Sequence, residues 1–240
     1  MRIVISQSML FPWVGLLEQI RLANVFVHYD DVQFSKGSFV NRVQIKTSHG
    51  IRWMTVPLAN VHLGQRINEV QIAPYAQWRD AHLSILKTSF SGAPYAADAL
   101  QIAETVYAME YPNLGALARA SMCALANYFG LDKDTRFVDI ASLKISGSSS
   151  ERVLSVVQEL RGDVYITGHG AARYLNHDLF ELSGVSVEYV NYCCRAYPQL
   201  HGEFTPYVSG LDLVANCGPS GVEYICSNTV LWKDFINEPS

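Results

Sequence analysis

Two adjacent carboxylates, Asp30 and Asp31, close the run VFVHYDD at 25–31. At the carboxyl end of a buried strand, where open α/β sheets keep their ligand crevices, a carboxylate can hold a cation, orient a hydroxyl or accept the proton of an attacking amine. Successive strand residues point to opposite faces, so one of the pair is expected to face such a crevice. The plainer alternative is a turn in which these groups cap a helix or bend the chain. Gln33 adds an amide close by. Asn41 and Arg42 bring an amide and a guanidinium fork, which suit a carboxylate, a phosphate or a sugar and equally a structural ion pair.

In the distal half, His169 stands between Gly168 and Gly170 in VYITGHGAARYL. Backbone freedom at the glycines suits an imidazole presented at a sheet edge as a general base or hydrogen-bonding group, and a histidine in an ordinary turn is the alternative. His82 shares a helix with Trp78 and reads as a proton relay or as a satisfied core histidine, while His28 reads as a buried strand residue. The H-x-x-x-H and C-x-x-C spacings are missing, so neither a metal nor a cofactor is expected.

Trp13, in SQSMLFPWVG, follows the first apolar run at the address of phosphate-binding turns, yet the stretch has no G-x-G-x-x-G and no G-K-S. It also lacks the histidines of the H-x-G-H that class I nucleotidyltransferases place there. Trp13 suits stacking on a sugar or base, or a place in the core. There is no G-x-S-x-G elbow, and Cys193-Cys194 beside Arg195 is the least poor thiol nucleophile.

The elements that must position these groups follow from hydrophobic periodicity. RIVIS at 2–6 reads as a buried strand, GLLEQIRLANVF as a helix with Leu16, Leu17 and Ile20 on one face, and VFVHYDDVQF as a second strand, which makes a βαβ unit. RVQIKT and IRWMTVPL around Ser48-His49-Gly50 read as a hairpin, and INEVQIA as a further strand. Residues 75–91 and 94–130 are helical in pattern, broken at Pro112 and stopped at Gly130. RFVDIASL, VYITG and VSVEYVNY read as strands, and SGSSSERVLSVVQELRGD, DLFELSG and SGLDLVANCG as helices, the first with serine caps. The expected fold is α/β: a Rossmann-like, mostly parallel sheet with helices on both faces, an inserted β-hairpin and a helical middle segment. The chain is expected to be a single domain over 1–240, or two closely packed halves at about 1–131 and 136–240 with the polar DKDTR as their seam.

The 240 residues are 49% hydrophobic with a net charge of −4, enough for a substantial core. Eighteen basic residues against 22 acidic ones, scattered along the chain, give phosphate-backbone binding little support, so nucleic acid is not an expected partner. No run has the length of a membrane span or of a signal-peptide core. Five cysteines, odd in number, argue against a disulfide framework, and a cytoplasmic protein with reduced thiols is expected.

Gln7, Phe11-Pro12-Trp13, Gly15, VFVHYDDVQFSKGSFVNR, GIRWMTVPL at 50–58, WRDAHLSIL at 78–86, YITGHGAARYL at 165–175 and YPQLHGEFTPYVSGLDLVANCG at 197–218 occur in one order over most of the chain. This pattern resembles the WbqC-like protein family. The Asp pair, Gln33, Asn41-Arg42, Trp53 and His82 match it without gaps, whereas Gln7-Ser8-Met9-Leu10 departs from a Gln-Pro-Asn-Tyr that the family tends to carry. The resemblance implies a part in bacterial surface-polysaccharide synthesis, as an N-acyl or aminoacyl transferase of glycyl type acting on an amino-sugar nucleotide or related small amine. Asp30, Asp31, His169 and His82 are then the expected catalytic groups, and Gln7, Trp13, Gln33, Asn41, Arg42, Trp53, Gly168 and Tyr174 the expected substrate-binding ones. The partners would be that acceptor and an acyl or aminoacyl donor, without a membrane, and a homodimer is allowed. A non-catalytic small-molecule-binding module of the same pathway, or an adenylate-forming or nucleotidyl-transfer enzyme, are the alternatives.

Overall fold

The computed structural model describes residues 1–237. Strand β1 (Arg2–Ser6) runs through helix α1 (Val14–Leu22) into β2 (Val25–His28), followed by the hairpin β3 (Arg42–Thr47) and β4 (Gly50–Thr55) and a short pair β5 (Leu58–Ala59) and β6 (Gln71–Ile72). Helices α2 (Arg79–Ser89), α3 (Ala96–Tyr107) and α4 (Leu114–Tyr128) form the helical middle segment. The chain continues with β7 (Arg136–Asp139), α5 (Ile140–Leu143), α6 (Ser149–Glu159), β8 (Val164–Thr167), α7 (His177–Leu182), β9 (Ser186–Asn191), α8 (Gly210–Cys217), β10 (Asn228–Leu231) and α9 (Trp232–Asn237).

Six strands form one sheet in the order β10-β9-β8-β1-β2-β7. Pairing is parallel from β9 through β7, and β10 lies antiparallel on β9. The α/β class, the parallel sheet and the inserted hairpin therefore stand as the sequence pattern indicates. Near-continuous apolar runs mark strands covered on both faces, and the period of two sorts their side chains. Val4, Phe26, Ile166 and Val190 join one core with Leu16, Leu17 and Ile20 of α1 and with residues of α3, α4 and α8. Ile3, Ile5, Val25, Val27, Tyr165 and Val187 join the other, with Val153, Val156 and Val157 of α6 and Phe180 of α7. Each fully buried Leu or Ile on these faces contributes roughly 1.5–3 kcal/mol.

Several boundaries differ from the sequence pattern, for local reasons. The second strand stops at His28, before the aspartates. INEVQIA opens with a 3₁₀ turn over Ile67–Glu69 and keeps its strand only at Gln71–Ile72, because the Glu69 carboxylate accepts the Arg66 N–H at 3.0 Å and the Ile67 and Asn68 N–H groups bond back to Val32 and Asp30. Such side-chain and cross-chain bonds compete with a ladder. RFVDIASL divides at Asp139, whose carboxylate accepts the Ala141 N–H at 3.0 Å and starts α5. The polar stretch at 132–136 is pinned to α1, where Thr135 bonds the Ile20 and Ala23 carbonyls. Strands β10 and the helix α9 after it complete the sheet edge without a strong pattern in the sequence.

Candidate functional site at the sheet switch point

From β1 the sheet extends through β2 to β7 on one side and through β8 to β9 on the other, so the connections leave the carboxyl ends of β1 and β8 in opposite directions. This is the topological switch point at which open α/β sheets keep a crevice. A crevice of about 450 Å³ opens there, lined by Gln7 after β1, Gln19 of α1, Tyr29 after β2, and Thr167, Gly168 and Tyr174 of the β8 end, among others. A second, of about 400 Å³, shares Tyr29, Val32 and Tyr174 and adds Asp31, Gln33, Arg66, Ser148, Ser149 and Arg152. Among the described residues the first has no charged side chain in its lining and mixes amides, hydroxyls and tyrosine rings with aliphatic groups such as Ile5, Met9 and Val32, and the second carries charge.

In the second crevice Arg152 donates to both carboxylate oxygens of Asp31, at 3.0 and 2.5 Å, and to the Tyr29 hydroxyl at 3.2 Å. Its guanidinium lies 4.9 Å from the Tyr29 ring centroid. The bonds to Asp31 push the Arg152 pKa still higher, so the cation is permanent. Ser148, at the start of α6, makes no side-chain cap bond, and Ser149 takes a positive φ of 53°. The expected serine cap is therefore unmade, and the first N–H groups of α6 lie beside the crevice.

Asp30 faces away from the crevices and is 0% exposed. One oxygen accepts the Ser8 N–H at 2.9 Å; the other accepts the Ser8 hydroxyl at 2.8 Å and Arg119 at 2.9 Å. Arg119 also reaches Asp139 at 2.6 Å. With the Ser8 hydroxyl proton on Asp30, the His28 Nδ1–H must donate to Ser8 Oγ, at 2.9 Å. Burial, then the Arg119 charge, lowers the His28 pKa to about 3. This network ties together the carboxyl ends of β1, β2 and β7. The chain between them is under strain: buried Phe11 takes φ 36°, held by its N–H to Ser121 Oγ at 2.8 Å.

His82 lies in the core. Its Nε2–H donates to the Thr55 carbonyl at 3.1 Å, its Nδ1 accepts from the Tyr107 hydroxyl at 3.0 Å, and burial lowers its pKa to about 4. His169 is adjacent to the first crevice in sequence, but its Nε2–H donates to the Val190 carbonyl at 2.8 Å and its ring packs between Tyr192 and Phe235. Trp13 packs on Tyr192 and Tyr207 over a small recess shared with Glu18 and Arg195. Asn41 donates to the Val56 carbonyl at 3.0 Å, and the Arg42 guanidinium stacks 4.1 Å from the centroid of the Trp53 ring on the hairpin. None of these six lines either crevice.

Gln7, Asp31, Gln33, Gly168 and Tyr174 do come together. Gly168 is closely approached: a Cβ there would stand 3.0 Å from the Tyr192 hydroxyl and 3.4 Å from Gln19 Nε2, so these side chains would have to shift to admit one. Tyr29, Gln19, Arg66 and Arg152 join them without having been marked by the sequence pattern. The signal for Arg152 is its place in the first turn of an amphipathic helix behind Gly147-Ser148-Ser149. Among the described residues no cluster of histidine, cysteine and carboxylate side chains could hold a metal ion, and no helix is long and apolar enough to cross a membrane.

Comparison with known proteins places these residues in context. The model of the WbqC-like protein family matches residues 7–224. The uncharacterized protein Rv1507c of Mycobacterium tuberculosis is 31% identical over 227 residues, 93% of this chain and 97% of that one. No solved structure matches.

Proposed function

The chain belongs to the WbqC-like protein family, and from that premise we propose that it is an N-acyl or aminoacyl transferase of glycyl type. Its acceptor would be an amino-sugar nucleotide or a related small amine, in a bacterial pathway such as surface-polysaccharide synthesis. The observation that carries this reading is the union of two crevices of different chemistry through Tyr29 and Tyr174. The neutral crevice, with the amides of Gln7 and Gln19 and the Thr167 hydroxyl, suits a sugar or nucleoside. The charged one suits a phosphate or carboxylate on Arg66 and the α6 N-terminus, and an amine on Asp31. In amide formation the amine nitrogen attacks the donor's acyl carbonyl and sheds its proton as the donor's leaving group departs. Asp31, the carboxylate in the lining of the charged crevice, anchors the amine beside Arg152 and takes the proton, and Gln7 supplies an N–H donor for the developing oxyanion. The free cysteines suit a cytoplasmic setting.

One observation favours the second reading, a non-catalytic binding module of such a pathway: Asp30, Asp31, His82 and His169 are each engaged within the protein. Mass spectrometry after incubation with amino-sugar nucleotides and glycyl or acetyl donors separates the two. An acylated acceptor establishes the transferase. Thermal stabilisation by a nucleotide with no new mass establishes the binding module, and pyrophosphate release from ATP would point to adenylate chemistry instead.

A further inference from the structure

Two exposed thiols meet where β9 and β10 leave the sheet. The antiparallel ladder ends on the pair Asn191 and Asn228, and two further residues along each strand bring Cys193 opposite Cys226. Residues directly opposed in an antiparallel pair have Cα atoms about 4.5–5.5 Å apart, inside the window of about 4.4–6.8 Å that a disulfide spans without backbone movement. The strands stay together beyond the last rung. The Cys193 N–H donates to the Ser227 hydroxyl at 2.8 Å, and that hydroxyl donates to Glu18 at 2.5 Å. Cys194 then takes a positive φ of 45° and turns the chain away.

Both thiols are free and exposed. Burial first, and then the neighbouring Cys193 thiol, raise the Cys226 pKa, while the Arg195 charge opposes them. Cys123 and Cys217 are more covered, and burial pushes each up to about 11. A thiol so held supplies little thiolate.

We propose that Cys193 and Cys226 form a reversible dithiol–disulfide pair that is oxidised by hydrogen peroxide. The thiolate of one attacks a peroxide oxygen, the O–O bond breaks, and a sulfenic acid forms as hydroxide leaves. The second sulfur then displaces the sulfenic oxygen as water. In total two thiol protons and two electrons pass to the peroxide, which becomes two waters as the S–S bond forms. A thiol reductant returns both electrons and reopens the pair. The cross-link would fix the segment carrying Tyr192, whose hydroxyl accepts from Gln19 at 2.7 Å and stands against Gly168. Oxidation thereby reaches the wall of the switch-point crevice.

The test is intact-mass and non-reducing peptide analysis of the full chain treated with hydrogen peroxide, then with dithiothreitol. The expected result is a monomer lighter by two hydrogens, with the peptides of Cys193 and Cys226 joined and the mass restored by reductant. Cys193→Ser and Cys226→Ser should each abolish that loss, while Cys194→Ser retains it. An unchanged mass overturns the proposal, as does oxygen addition without a link, a link that persists through Cys194 in Cys193→Ser, or cross-linking only between chains.

Discussion

Arg152 grips both oxygens of Asp31 across 121 residues of sequence, at 3.0 and 2.5 Å. Asp31→Asn leaves a guanidinium whose side chain is 10% exposed without its counter-ion, at a cost of about 1–3 kcal/mol. Under the proposed reaction turnover should fall at least about 100-fold with the fold retained, since the amine loses its anchor. Urea unfolding and the mass-spectrometric assay read the two effects separately. A folded Asp31→Asn protein with full turnover would remove Asp31 from the chemistry.

Asp30→Asn should behave differently, because its carboxylate is fully buried and its partners hold three strand ends. Losing the buried charge that Arg119 and Ser8 require is expected to cost about 3–5 kcal/mol. Chemical denaturation decides: a variant as stable as the parent would show the network to be dispensable.

Stability should fall in mild acid. His28 and His82 have folded pKa values of about 3 and about 4 against 6.5 when free, so between those limits the unfolded chain binds more protons than the folded one. Their stabilisation is complete above about pH 6.5 and is lost as the pH falls toward the folded values, with about 3 kcal/mol at stake for His82. His82→Gln should be less stable at pH 7 and show a flatter profile between pH 6.5 and 4 in urea titrations. An unchanged slope would mean that His82 is not held neutral.

Gly168→Ala pushes a methyl group against the Tyr192 hydroxyl and Gln19, so it should weaken nucleotide binding about tenfold or more while the fold survives. Trp53→Ala, which removes an exposed ring stacked by Arg42 on the hairpin, should leave that affinity unchanged. Isothermal titration with the same nucleotide compares them. The opposite order would move the site to the hairpin.

The parallel sheet was readable because its strands are buried on both faces, and unbroken apolar runs such as RIVIS and VYIT admit few other structures. The same logic placed Asp31 and Gly168 at strand ends. The identity of Asp31's partner was not readable, since nothing local to Arg152 records an aspartate 121 residues away. The pattern offered both a relay and a satisfied core place for His82 and could not name Thr55 and Tyr107 as its partners, nor show that Arg42, read in the hairpin, stacks on Trp53 away from Asp31. Such outcomes depend on which surfaces meet after the sheet has formed.

The shared counter-ion at Arg119 has an electrical consequence. Asp30 and Asp139 divide one guanidinium and leave a net negative charge at the β2 and β7 ends, whereas beside α6 Asp31 is matched by Arg152 and Arg66 by Glu69. The imbalance is therefore confined to one side of the sheet's carboxyl edge, and low-dielectric walls concentrate the field of such a charge. A cation arriving at this edge would be drawn toward the β2 and β7 ends before any single contact had formed.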